Sequence, residues 1–186
     1  MHRLPAVIRA IDGFTEWSGR LVSWLTLGTV VVCFAVVVLR YVFSIGSICL
    51  QELYVWQHAL VFLLGAGYTL MHGGHVRVDI FYARMTPRRR AWIDLFGTVF
   101  FLAPWLFVLV WFGWPFLARS WSLFEASGQA GGCQGYFIMK SAIVLFAALV
   151  AIQGVALFCR SVLVLGGRLD YAPQAGGVRD VGREAP

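Results

Sequence analysis

Long apolar runs separated by short polar breaks dominate the chain. Four stretches contain no Asp, Glu, Lys or Arg: Leu21 to Leu39, Leu53 to Gly74, Leu95 to Ala118 and Ser141 to Cys159. A bilayer core of roughly 30 Å is crossed by about 20 helical residues at 1.5 Å each, so every run is long enough to span it. In hydrocarbon each backbone N–H and C=O must find its partner within the element, and none of the runs has the period-two alternation of a barrel strand. The pattern predicts an all-α integral membrane protein with four transmembrane helices.

Composition agrees. Of 186 residues, 60% are apolar and 13% charged, against roughly 25% charged in soluble domains; with a mean hydropathy of +0.76, this excludes a soluble globule. The net charge of +6 does not indicate nucleic acid, because the arginines fall between apolar runs rather than along a basic stripe with interleaved aromatics. They fit the phospholipid bilayer instead. Twelve basic residues lie before the first span, in the second loop and in the tail, against Arg40, Arg119 and Lys140 on the other side. By the positive-inside rule both termini are cytoplasmic.

Residues 1–20 lack the uninterrupted apolar core of a secretory signal, since Arg9, Asp12, Glu16 and Arg20 break it. Leu4, Val7, Ile8, Ile11, Phe14 and Leu21 recur at helical spacing, with Glu16 and Arg20 at i, i+4. Two readings stay open: an amphipathic interfacial helix, or an extension of the first span. The expected organisation is thus an interfacial segment (1–20), a four-helix membrane domain (21–165) and a flexible cytoplasmic tail (166–186). Thr86 and Pro87 suit the start of the third helix, expected to be the longest, and Pro104 predicts a kink in it.

The candidate chemistry is sparse. His58 is the one titratable side chain well inside a span, with Gln57 beside it and Gln153 in the fourth span. His72, His75 and Asp79 would share a face if a helix continued through Gly73 and Gly74, but paired glycines at a membrane exit oppose that, and a tie between the second span and its loop is the preferred role of His75 and Asp79. Haem ligation normally takes a histidine deep in each of two facing helices. Cys33, Cys49, Cys133 and Cys159 form no CxxC pair. Cys49 and Cys133 both fall in outward loops, which leaves a disulfide between them open. No Ser/His/Asp set, facing carboxylate pair or phosphate-binding glycine loop is evident, so neither catalysis nor a metal or cofactor is expected. Small residues at Ala147, Ala151 and Gly154, and at Ala59, Gly65, Ala66 and Gly67, mark helix contacts, within the chain or with another subunit.

The order of motifs is more specific than any one of them. Arg40-Tyr41-Val42-Phe43 ends the first span; Gln51-Glu52-Leu53 opens the second, which runs through Phe62-Leu63-Leu64-Gly65-Ala66; Gly74-His75-Val76-Arg77-Val78-Asp79 and Pro87-Arg88-Arg89-Arg90 follow. Over residues 20–165 the chain resembles the small membrane subunit, DctQ-type, of tripartite ATP-independent periplasmic (TRAP) transporters. The resemblance implies a scaffold in the bacterial inner membrane that assembles with a large permease subunit and a periplasmic solute-binding protein for sodium-coupled uptake of an organic acid. It also implies that Arg40, Glu52, His75 and Asp79 occupy family motif positions; Gln51 stands where many relatives have a second acid. Arg40 and Glu52 could pair across the first loop, or Arg40 could simply snorkel. The loop containing Gly131-Gly132-Cys133-Gln134-Gly135, where many relatives have a proline, is expected to be mobile and is one candidate docking place for the binding protein. The alternatives are a haem- or quinone-associated membrane anchor of a redox complex, and a small transporter working alone through Glu52 or His58.

Overall fold

Each apolar run forms the middle of a longer helix. A computed structural model of the chain describes residues 4–74, 82 and 84–172. It contains α1 (Leu4–Tyr41), α2 (Ile48–Met71), α3 (Pro87–Ser122) and α4 (Tyr136–Leu165), followed by a short 3-10 turn at Leu169–Tyr171. No strand occurs among the described residues. The helices have 38, 24, 36 and 30 residues, which at 1.5 Å per residue is about 57, 36, 54 and 45 Å. All four exceed the hydrocarbon thickness, so their ends reach into the interfaces or the helices tilt.

The stretch before Arg20 and the first span form one unbroken helix. Ile8, Thr15 and Val22 are its buried residues; their seven-residue spacing keeps one face inward through both parts. This continuity makes α1 the longest helix, not α3 as expected from the charge-free runs, because interfacial Asp, Glu and Arg side chains do not end a helix whose other face stays packed.

Local chemistry sets the other boundaries. Ser47 is extended and its Oγ accepts the Leu50 N–H at 3.4 Å to start α2. At the other end α2 stops at Met71, His72 caps it, and Gly73 turns into the left-handed region at φ 66°. The helical register therefore does not carry His72 through to the following loop. Pro87 occupies the first position of α3, after an extended Thr86 whose side chain makes no cap bond. Ahead of Pro104, residues Thr98–Leu102 widen into a π turn in which the Ala103 N–H reaches the Thr98 carbonyl. Proline cannot donate to the carbonyl four residues back and its ring crowds that turn; the wider turn makes room for both.

α4 is the innermost helix. It lies between α2 and α3, where Leu106, Ala147 and Val150 pack with Ala66, Leu70, Leu102 and Leu109. α1 lies along α2, and its first turns cross onto the end of α4, where Ile8 meets Cys159 and Leu163. Close approach depends on glycine at three points. A Cβ on Gly19 would stand 2.2 Å from the Tyr68 ring, one on Gly67 3.2 Å from the Leu149 carbonyl oxygen, and one on Gly154 2.9 Å from Leu102. The outward faces of α1 and α3 stay uncovered, with Trp24, Phe34, Phe101 and Phe112 each about 70% exposed.

Two substitutions in α1 separate packing from helix propensity. A Cβ on Gly13 meets nothing within 4 Å, so Gly13→Ala should stabilise by up to about 1 kcal/mol. Gly19→Ala should destabilise, since Tyr68 must move. Thermal midpoints of the detergent-purified protein should shift in opposite directions; a rise for both would contradict the α1 to α2 contact.

Candidate functional site

Polar side chains gather at the two ends of the helix assembly. At the end where α2 begins, Glu52 lies one turn into the helix. It accepts the Ser127 hydroxyl and, at 2.8 Å, the Cys133 backbone N–H. Cys133 is joined to Cys49 by a disulfide with the Cα atoms 4.6 Å apart. The Ser127 N–H donates to the Cys133 carbonyl at 3.1 Å and closes the loop on itself. Gly132 has to be glycine for this approach: a Cβ there would lie 2.6 Å from Ser127 Oγ and 3.0 Å from Glu52 Oε2. The glycine-rich segment expected to be mobile is thus covalently tethered, and its small residues admit the carboxylate.

The same loop is anchored a second time. Glu125 accepts the Ser120 hydroxyl at 2.6 Å and the Lys140 ammonium at 2.5 Å, tying the end of α3 to the first turn of α4. Lys140 Nζ also lies 4.0 Å from the Phe116 ring centroid. The hydrogen bond from Lys140, then the one from Ser120, hold the Glu125 carboxyl below its ordinary range.

The motif residues separate in space. Arg40 is exposed and, with Val36, Leu39, Ile45, Ser47, Leu50 and Gln51, borders a shallow depression at the end of α1. It forms no ion pair with Glu52, whose carboxylate turns to the fixed N–H and hydroxyl of the other loop instead. Gly65 is half-buried with open space where a Cβ would stand, whereas its neighbour Gly67 is the one pressed against α4. His75 and Asp79 lie outside the described residues. His58 is exposed on α2.

The opposite end holds a junction of α1, α2 and α4. Arg160, only 7% exposed, donates from Nη2 to both carboxylate oxygens of Asp12. One turn away the Thr15 hydroxyl donates to Gln153 Oε1 at 3.2 Å, both side chains buried. Glu16 accepts from Arg20 Nε at 2.9 Å, as the i, i+4 spacing predicts, and its other oxygen lies 3.5 Å from His72 Nε2. His72 Nδ1 is 3.1 Å from the Tyr68 carbonyl. Spacing could not reveal the α1 to α4 contacts, whose partners are 138 and 148 residues apart. Chemically these groups hold helices in register: Asp12, Glu16, Glu52 and Glu125 each face donors from the same chain. Among the described residues no group of three or more His, Cys, Asp or Glu side chains is placed to hold a metal ion.

Three measurements probe the clasp at Cys49 and Cys133. Alkylation of unfolded protein without reductant should modify Cys33 and Cys159 alone, and all four cysteines after reduction; four reactive thiols at the outset would rule out the disulfide. Glu52→Ala should speed amide exchange across residues 127–133 at least tenfold, consistent with about 1.5 to 3 kcal/mol for a charge-assisted bond. A lowered carboxyl pKa contributes above the ordinary range and is lost as pH falls through the lowered value. The stability advantage of the parent over Lys140→Met should therefore be present at pH 6 and fade below about pH 4; an advantage unchanged at pH 2 would contradict the pairing.

The family model for tripartite ATP-independent periplasmic transporters, DctQ component, matches residues 29–164. No curated protein and no solved structure matches the chain. The matched region takes in the last third of α1 and the whole of α2 and α3, together with the tethered loop and nearly all of α4. Four apolar helices in this order, with the family match over most of their length, establish that the chain belongs to the DctQ component family of TRAP transporters.

Proposed function

We propose that this small TRAP component is the fixed frame of its transporter, seating a large permease subunit that carries the solute while a periplasmic binding protein delivers it. The observation that carries this reading is the division of its surface. The carboxylates Asp12, Glu16, Glu52 and Glu125, which could attract a cation, are each engaged by donors of the same chain near the two ends, and long apolar faces of α1 and α3 lie uncovered in the single chain. An expanse of that kind suits lipid and a protein partner. The open flank at Gly65 gives α2 one place where another helix backbone could approach.

The proposed orientation puts both ends of the chain in the cytoplasm and the Cys49 to Cys133 clasp outside. Two independent features support it: the basic residues crowd the other side, and a disulfide persists where the compartment is oxidising. Sodium coupling and an organic acid as solute rest on the family resemblance. His75 and Asp79 are proposed to tie the inner end of α2 to its loop.

Co-expression with a large TRAP permease subunit, followed by detergent extraction and reconstitution, tests the reading. The two chains should purify together, and liposomes holding both should accumulate a carboxylate solute when binding protein and a sodium gradient are supplied. Liposomes holding this chain alone should accumulate none. Uptake by this chain alone would overturn the frame and favour a self-sufficient transporter.

A further inference from the structure

The start of α3 carries charge that the helix packing does not use. Arg84, Arg88 and Arg89 are exposed, and none of them joins an ion pair or hydrogen bond among the described residues. The first turn of α3 contains no acidic residue. Arg90, in contrast, is buried, with Nε donating to the Tyr82 carbonyl at 3.0 Å and its guanidinium over the Tyr82 ring. The sequence Pro87-Arg88-Arg89-Arg90 thus divides into one structural arginine and two that join Arg84 as exposed cations without a partner among the described residues.

Below these cations runs an uncovered apolar track. Trp92, Ile93, Phe96 and Phe100 are between 46% and 62% exposed, and Phe96 stacks on Phe100 at 4.6 Å between centroids. Positions 88, 92, 96 and 100 are four residues apart, so charge and track share one helical face. Twelve residues from Arg88 to Phe100 cover about 18 Å, close to one leaflet of a hydrocarbon core roughly 30 Å thick. Arg20, beside the uncovered part of α1, is by contrast engaged by Glu16.

We infer that this face of α3 binds an acidic phospholipid, its phosphate held by Arg84, Arg88 and Arg89 and one acyl chain lying along Trp92, Ile93, Phe96 and Phe100. Charge complementarity selects an anionic headgroup over a zwitterionic one, and the length of the apolar track selects a lipid over a free anion. The inference is independent of the frame reading, since it concerns a surface of the chain by itself.

The test titrates the full-length chain in neutral detergent with phosphatidylglycerol, phosphatidylcholine and inorganic phosphate, counting bound lipid by native mass spectrometry. Each basic residue near an anionic lipid surface contributes about fivefold. Arg88→Gln with Arg89→Gln should therefore weaken phosphatidylglycerol binding roughly twenty-five-fold and leave phosphatidylcholine binding unchanged. Arg88→Lys with Arg89→Lys should retain most of the preference, which separates lost charge from misfolding, and Arg119→Gln at the far end of α3 should change nothing. Trp92→Ala should weaken phosphatidylglycerol binding while leaving its salt dependence intact. Equal binding of both lipids by the parent protein would overturn the inference. So would displacement of phosphatidylglycerol by an equal concentration of inorganic phosphate, or undiminished binding by the folded double glutamine variant.

Discussion

Apolar side chains gain little by leaving lipid for a neighbouring helix, so helices in a membrane must be held together by close backbone packing and by polar contacts. This constraint accounts for the plan of the molecule. Between its ends α1, α2, α3 and α4 touch through small residues, with Gly19, Gly67 and Gly154 at the tightest points. At its ends they are tied by polar groups, Asp12 to Arg160 and Thr15 to Gln153 on one side, Glu52, Glu125 and the disulfide on the other.

The ties differ in kind. A cross-link between residues 84 apart removes loop entropy equivalent to about 4 to 5 kcal/mol in the chain-entropy treatment, more than either carboxylate contact in the same loop is expected to contribute. The disulfide therefore dominates its end of the assembly, and Glu52 and Glu125 shape what it tethers. At the other end the Asp12 to Arg160 pair must offset the cost of withdrawing two charges from water, and such pairs more often specify geometry than add net stability. The contact of one Arg160 nitrogen with both Asp12 oxygens fixes where α1 crosses α4, a crossing that apolar packing of Ile8 alone would leave loosely defined.

Local chemistry was legible in the sequence and distant pairing was not. Four spans, the proline start of α3, the glycine stop after α2 and the Glu16 to Arg20 pair depend on residues within about one turn of each other. The cysteine pairing could be posed from loop topology but not decided, and the Asp12 to Arg160 and Glu52 to Ser127 contacts join positions 148 and 75 residues apart. Nearness in sequence also misled: Arg40 and Glu52 flank one loop, yet the carboxylate turns away to a backbone N–H that no charge count reveals. The glycines at 131 and 132 suggested mobility because glycine is permissive; here they allow close approach. Helix lengths were underestimated because charged side chains at an interface can stay solvated while the helix continues beneath them. The family was legible because it rests on the order of several short motifs, and the match over residues 29–164 bears it out.

A frame tied at both ends should keep its shape while its transporter works. Spin labels at Ala10 on α1 and Ser122 at the end of α3, both exposed, in a background lacking Cys33 and Cys159, report the diagonal across the helix assembly by pulsed dipolar spectroscopy. In the complex with the permease subunit, the account predicts one narrow distance distribution, the same with and without sodium, solute and loaded binding protein. A second population, or a shift of several ångströms when solute is supplied, would contradict it.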